Sequence, residues 1–332
     1  MFDKSILGHT GIRQRLSERI NANKLAAALL FVGPEGIGKR RVALELAQRE
    51  ICFKREACGI CGACALFKAS PLPREFPNLL RIAPEGKAGL IKVDAIREDD
   101  LVEGGVIRWA HQAAPPGCHR WIVVEDAHRL GKASANMLLK TLEEPPPGTF
   151  FILLTHKPDS MLPTIRSRAE RVSFSPLNQT EMREIAISRG WAGQELDAWV
   201  ALSNGTLKYI DRAMFSRACS QIEAWISVME GVPLKEVSEA LLPDKSSELA
   251  HSQQTVMALE QLLTVLGELT RASEGNPARL PQWASRLNSL EDKQIDVHNG
   301  YKCALSAIWA LARNISPEAA LRKIALALTQ KQ

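Results

Sequence analysis

Residues 28–40 constrain this chain more than any other stretch. Five apolar residues, Ala28-Leu29-Leu30-Phe31-Val32, run into Gly33-Pro34-Glu35-Gly36-Ile37-Gly38-Lys39-Arg40, and a helical pattern follows with Val42, Leu46 and Ala47 on one side. A buried strand, a glycine-rich turn and a helix in that order belong to a parallel sheet with helical crossovers. The turn nearly fits G-x-x-x-x-G-K-[ST], whose glycines let backbone N–H groups close around phosphates while the helix terminus and the lysine add positive charge. It departs at the last position. Arg40 stands where a hydroxyl would hold Mg²⁺, and a guanidinium has no acceptor oxygen. Gly33, Gly36, Gly38 and Lys39 are therefore candidates for a phosphate-binding loop whose metal is poorly held. The competing reading is a plain glycine-rich turn.

Three more short apolar runs, at residues 79–82, 121–124 and 150–154, read as buried parallel strands separated by helical or loop sequence. A helix is expected over 11–22, with Ile12, Leu16 and Ile20 on one face. The pattern changes at Pro176, after which strand signals almost vanish. Asn178 followed by Glu181 reads as a capping box, a second helix ends at the left-handed signal Asn204-Gly205, and a third begins at Thr206. Longer amphipathic helices follow from about Cys219. Their apolar stripes, Val256, Leu259, Leu262, Leu263 and Leu266 and then Leu321, Ile324, Leu326 and Leu328, read as core packing. The expected organisation is an α/β domain over 1–176 with helices on both faces of the sheet, a small helical domain over 177–217 and a helical domain over 218–332. A chain of 332 residues exceeds what one hydrophobic core supports.

Composition narrows the class without naming a partner. Hydrophobic residues at 45% and charged residues at 24% suit a soluble protein. A net charge of +5 with no dense basic block is compatible with nucleic acid but does not argue for it. The first ten residues lack the basic and apolar regions of a signal peptide, and the longest apolar stretch, 25–32, is far below the ~20 residues a membrane helix needs. A soluble, cytoplasmic protein with no membrane partner is expected.

Two further motifs carry chemistry. Trp121-Ile122-Val123-Val124-Glu125-Asp126 is a strand ending in two carboxylates, the layout that holds a metal and activates water beside a phosphate loop. The usual order is Asp then Glu; here it is reversed, and Asp126 has the shorter reach. Cys52-x5-Cys58-x2-Cys61-x2-Cys64 places four of the seven cysteines in thirteen residues. That spacing suits Zn²⁺ held by four thiolates in a closed structural site. Cys52 could instead be a buried thiol, leaving three ligands, and the spacing alone also admits an iron–sulfur cluster. Cys118, Cys219 and Cys303 are expected to be small buried hydrophobes. By residue type alone, Arg166 and Arg168 in Thr164-Ile165-Arg166-Ser167-Arg168 are solvated or ion-paired charges.

Taken together, these stretches resemble the clamp-loader branch of the AAA+ ATPases. Asn136-Met137-Leu138-Leu139-Lys140-Thr141-Leu142-Glu143-Glu144-Pro145-Pro146 is similar to the signature N-A-L-L-K-T-L-E-E-P-P of bacterial members. Asp126-Ala127-His128-Arg129-Leu130 resembles their Walker B segment, Phe151 to Thr155 their sensor-1 strand, and Ser167-Arg168 their S-R-C motif, with Ala169 in place of Cys. A zinc module after the Walker A helix is a family feature. The likeness is dense from about Ile6 to Arg171. It continues weakly at Gly205-Thr206-Leu207-Lys208, like sensor 2 with Lys for Arg, and at Asn314 to Leu321, like the last collar helix.

The resemblance implies an AAA+ domain, a helical lid and a C-terminal helical collar that mediates oligomerisation. It also implies a hetero-pentamer of motor subunits, a delta subunit and a non-motor subunit, which loads a sliding clamp onto primed DNA at the expense of ATP bound between neighbours. Arg40, the Glu125-Asp126 order and Lys208 all depart from the motor pattern, so the chain is expected to be the non-motor type. Gly33, Gly36, Gly38, Lys39, Glu125, Asp126, Thr155 and Lys208 would then be a vestigial nucleotide site with little or no ATPase of its own. Arg168, placed by Ser167, would be an arginine finger for ATP in the neighbouring subunit. A motor subunit that still hydrolyses ATP and a zinc-bearing DNA-binding adaptor are the alternatives.

Overall fold

The computed structural model describes residues 8–68, 75–85, 89–96, 105–112, 114–115, 117–242, 251–291, 293, 295–311 and 315–329. The chain divides into two compact units, one of residues 1–185 with 205–208 and the other of residues 186–204 with 209–332.

The first unit is built on a six-stranded sheet. Its strands are β1 (Ala28–Val32), β2 (Glu75–Phe76), β3 (Leu79–Ile82), β4 (Arg120–Val124), β5 (Thr149–Thr155) and β6 (Glu170–Ser173). Their order is β2-β3-β4-β5-β1-β6; all neighbours are parallel except β2, which pairs antiparallel with β3 at one edge. The helices are α1 (Thr10–Asn21), α2 (Lys39–Ile51), α3 (Gly62–Ala65), α4 (Val106–His111), α5 (Lys132–Glu143) and α6 (Pro163–Arg166). Successive side chains of a strand point to opposite faces. Leu29 and Phe31 accordingly join a core with Leu16 of α1 and Val42 and Leu46 of α2. Ala28, Leu30 and Val32 join another with Trp109 of α4, Leu138 and Leu142 of α5 and Ile165 of α6. Burial on both faces is why β1 reads as an unbroken apolar run. The architecture is an α/β one, a mostly parallel sheet with helices packed on both faces, as expected.

Strands β2 and β6 were not expected. Strand β6 is largely exposed, Glu-Arg-Val-Ser, and offers no apolar run to read. Its backbone pairing with β1, and an ion pair from Arg19 to Glu170, hold it in the sheet.

Helix α7 (Gln179–Ser188) begins with the expected box: Glu181 N–H donates to Asn178 Oδ1 at 2.9 Å, and Asn178 N–H to Glu181 Oε2 at 2.9 Å. The second unit holds α8 (Gly193–Ser203), α9 (Arg212–Glu230), α10 (Leu234–Leu241), α11 (His251–Ser273), α12 (Ala284–Glu291), α13 (Val297–Leu311) and α14 (Pro317–Thr329). Asn204 ends α8 in the left-handed region, φ 44°. The helix expected from Thr206 starts six residues later at Arg212 and runs unbroken through Cys219. Asp211 caps it, accepting from Ala213 and Met214 N–H at 3.0 and 3.1 Å. Leu259, Leu262 and Leu266 are buried, while Val256 and Leu263 are half-buried. Leu321, Ile324 and Leu328 pack inward but Leu326 is exposed, a correction to the expected stripe. Asn314, the first residue of the collar-like motif, lies outside the described residues. No helix among the described residues is long and apolar enough to cross a membrane.

Candidate functional site

Strands β1, β4 and β5 are adjacent and parallel, so the residues after each emerge at one edge of the sheet. Gly33 follows β1. A side chain there would lie 2.4 Å from the Phe174 carbonyl oxygen and 2.8 Å from Ile37, so only glycine fits. Gly38 takes φ 97° to turn the loop into α2. Lys39, the first residue of α2, is buried. Its Nζ donates to the carbonyls of Gly33 at 2.7 Å and Pro34 at 2.6 Å, within its own loop. Burial lowers its pKa from the ordinary lysine value, against the opposing pull of Asp126 and Glu35. The Gly36 carbonyl accepts from Leu207 N–H at 2.8 Å, which brings the Lys208 backbone against the loop. His9, which precedes α1, contacts the Ile37 carbonyl through Nε2 at 2.6 Å.

Glu125 emerges from β4 into a cluster of arginines. Arg81 of β3 donates to its Oε1 through Nε at 3.0 Å and a terminal nitrogen at 2.6 Å, and Arg40 Nε lies 3.3 Å from the same oxygen. The Walker B-like carboxylate is thus paired with the residue that replaces the Mg²⁺-binding hydroxyl. With Arg40 in place, the two positions that would share a metal attract each other instead, and the residues present do not fit Mg²⁺.

Asp126 sits beyond Glu125 with φ 46°. His156 follows β5, and its Nδ1 lies 3.5 Å from Asp126 Oδ1. The His156 hydrogen bond holds Asp126 below the ordinary carboxylate value, with burial opposing. Burial and then the charge of His156 bring His128 down to about 4, so this ring is neutral at neutral pH. Thr155 Oγ1 lies 3.3 Å from His128 Nδ1 and accepts from Lys157 N–H at 3.0 Å. The loop glycines, Lys39, Glu125, Asp126, Thr155 and the Lys208 backbone are therefore brought together. Arg81, His9 and His156 were not singled out from the sequence. None belongs to a local motif, and each enters through strand pairing or loop packing.

Arg168 and Ser167 lie elsewhere. Strand β6 runs parallel to β1 with Glu170 opposite Leu29 and Ser173 opposite Val32. Arg168, just before β6, is therefore at the opposite edge of the sheet from Gly33. The separation is roughly 20 Å along the strand direction at about 3.3 Å per residue. Its guanidinium pairs with Glu143 at the end of α5 and donates to the Thr164 carbonyl at 2.9 Å; Ser167 Oγ donates to the same carbonyl at 3.1 Å.

The four clustered cysteines form a third centre. Cys52 ends α2, the far end of that helix from Lys39. The four sulfurs lie within 4.8 Å of one another, with Cys52 and Cys64 buried and Cys58 and Cys61 partly so. Tetrahedral Zn²⁺ with Zn–S bonds of about 2.3 Å would set the sulfurs about 3.8 Å apart, so all four fit one ion. Cys58 N–H donates to Cys52 Sγ at 3.3 Å. At Cys52 burial pushes the thiol up, but the N–H groups of Cys58, Glu56 and Lys54 outweigh it and bring it down to about 6. Burial pushes Cys64 up to about 12. All seven cysteines are free thiols. Cys118, Cys219 and Cys303, expected to be buried, are half-buried; each lies on a helix face or loop edge that its unit does not fully cover.

Residues 8–178, just over half the chain, match the family described as DNA polymerase III, delta subunit. The chain belongs to this family. It is 40% identical over 146 residues to the DNA polymerase III subunit delta' of Pseudomonas aeruginosa, an alignment covering 43% of this chain and 41% of that protein. It is 32% identical over 166 residues to the delta' subunit of Escherichia coli, covering 49% and 46%. It is 32% identical over 184 residues to the subunit gamma/tau of Mycobacterium bovis, covering 54% and 30%. The chain thus spans less than half the length of each of these relatives. Within the family it is of the delta-prime type.

Proposed function

We propose that this delta-prime-type chain is the non-motor subunit of a DNA polymerase III clamp loader. In this reading it assembles with motor subunits and a delta subunit in a hetero-pentamer and supports ATP-dependent loading of a sliding clamp onto primed DNA. It donates Arg168 to the ATP site of a neighbour and does not run its own. The observation that carries this is the ion pair from Arg40 to Glu125, reinforced by Arg81. A loop that spends Arg40 and Glu125 on each other, and its lysine on its own carbonyls, holds Mg²⁺ poorly at a γ-phosphate.

The position of Arg168 supports the other half of the reading. It is too far from its own phosphate loop to serve it, yet half-exposed beside Glu143. A guanidinium reaching a neighbour's γ-phosphate would stabilise the charge that develops there, an effect on the order of 10³-fold or more in rate elsewhere. Cys52, Cys58, Cys61 and Cys64 would hold Zn²⁺ as thiolates, a closed site that stabilises the turn after α2. Residues 177–217 would serve as the lid and residues 218–332 as the collar.

The test is clamp-stimulated ATP hydrolysis by a loader reconstituted with this chain. Arg168→Ala should slow turnover at one site while the complex still assembles, and Lys39→Ala should leave turnover unchanged. If Lys39→Ala slows hydrolysis as much, the loop is a working site and the chain is a motor-type subunit. If neither variant matters, the arginine-finger role is wrong.

A further inference from the structure

The loops after β4 and β5 bring Asp126, at the edge of the phosphate-loop site, together with two histidines that site does not include. We propose that Asp126, His128 and His156 form a second metal site, built for a borderline transition ion such as Zn²⁺ and not for Mg²⁺.

The geometry comes first. One donor atom from each of the three residues lies within 4.8 Å of the others. His156 Nδ1 and Asp126 Oδ1 are 3.5 Å apart, a hydrogen bond at the long limit and close to the edge of a Zn²⁺ tetrahedron, about 3.3–3.4 Å for bonds of about 2.0–2.1 Å. The two imidazole rings meet edge to face, centroids 4.4 Å apart, so neither blocks the other's approach to a shared point. Asp126 is held in the left-handed region at φ 46°, and His128 lies on the short turn Ala127–Arg129 that follows it. Thr155 Oγ1, 3.3 Å from His128 Nδ1, fixes that ring, as outer partners do for metal-ligating histidines. All three ligands are half-buried, so the point they surround is sheltered and still reachable from solvent.

The chemistry decides which ion. Two imidazoles and one carboxylate are the donor set of zinc sites with an open fourth position, which water or an outside ligand fills. A hard cation held by charge finds little here. The site has one carboxylate, and Lys39, Arg129 and Lys157 all exert their positive charge on it or on His128. Glu125, the other nearby carboxylate, is committed to Arg40 and Arg81. An ion must therefore gain its affinity from nitrogen coordination, which Mg²⁺ does not seek and Zn²⁺, Co²⁺ or Ni²⁺ does. Bound there, the ion would tie the ends of β4 and β5 together at the edge of the sheet that carries the phosphate loop. The inference stands without the clamp-loader reading, because it concerns only residues of this chain.

Metal content separates this site from the cysteine cluster. The full chain, Asp126→Asn and a His128→Ala/His156→Ala double variant are dialysed against micromolar free Zn²⁺ and counted by mass spectrometry, with circular dichroism to check folding. The wild type should retain one Zn²⁺ per chain more than either variant; equal stoichiometry would overturn the proposal. A second measurement needs only the wild type. After Zn²⁺ has filled the thiolate site, Co²⁺ should bind with ligand-field bands and no sulfur charge-transfer band, and excess Mg²⁺ should not displace it. Absence of any thiolate-free cobalt signal, or displacement by Mg²⁺, would also overturn it.

Discussion

Replacing Glu45 by glutamine should destabilise the first unit by about 3 kcal/mol. Glu45 of α2 accepts from Arg13 of α1 through both oxygens, at 2.7 and 2.6 Å, and the two side chains are 1% and 5% exposed. In that geometry each charge has given up water for the other. Removing one partner of such a pair costs about 3–5 kcal/mol, because the remaining charge stays buried without its counter-ion. Glutamine still offers one acceptor, which sets the expected value at the low end, roughly a hundred-fold in the folded population. Replacing both, Arg13→Met with Glu45→Leu, should recover most of the loss, since apolar pairs of similar volume often match a buried ion pair. Guanidinium unfolding followed by tryptophan fluorescence measures this, as Trp121 is buried in the same core as α1 and α2. A loss below about 1 kcal/mol for Glu45→Gln is what an exposed pair gives, and would refute the claim that burial sets the cost. A double variant less stable than the single would refute it too. The pair also bears on the site, because it fixes α1, whose N-terminus carries His9 to the loop carbonyl, against α2, whose first residue is Lys39.

Restoring a hydroxyl with Arg40→Thr should free Glu125 from one of its two arginines and raise Mg²⁺-dependent nucleotide binding, read by fluorescent nucleotide titration with and without Mg²⁺; no change would show that Arg81 alone disables the position. Cys61→Ser should lower the metal content by one Zn²⁺ per chain and the melting temperature of the first unit, and an unchanged metal count would remove Cys61 from the ligand set. In the second unit, the Arg286 hydrogen bond holds Glu230 below the ordinary glutamate value. A depressed carboxylate contributes stability above its unfolded pKa and loses it as pH falls through the folded value. Glu230→Gln should therefore flatten the acid limb of the stability–pH curve below about pH 4.5 and leave a constant deficit above it, and identical acid limbs would count against the pairing.

The sequence made some of this legible because the chemistry is local. Strands β1, β3, β4 and β5 are buried on both faces, so their side chains announce them. The phosphate loop and the cysteine cluster are fixed by spacing within a dozen residues. Strand β6 escaped because an edge strand can be polar and still pair through its backbone. Helix α9 starts later than expected because its cap is Asp211, while residues 206–208 lie against the loop through the Leu207–Gly36 hydrogen bond, 171 positions apart in sequence. The same reason hid Arg81 and His156: no spacing rule links β3 to β4, or β4 to β5, before the sheet order is known.

A working phosphate loop holds positive charge that waits for a ligand, and its groups are only partly satisfied without one. Here those groups have internal partners. Lys39 is satisfied by two carbonyls of its own turn, and Arg40 and Arg81 converge on Glu125. Arg40, where the loop pattern has a hydroxyl, thus gives Glu125 an internal partner. The loop must keep its shape regardless, because Gly36 anchors Leu207 and Gly33 lies against the Phe174 carbonyl that follows β6. Under the non-motor reading proposed above, conformation and ligand are separated: the glycines serve as packing requirements while the charges are neutralised from within. On that reasoning, amide exchange across residues 33–40 should be the same with and without ATP, and strong protection on adding ATP would mean that Lys39 leaves its carbonyls for phosphate.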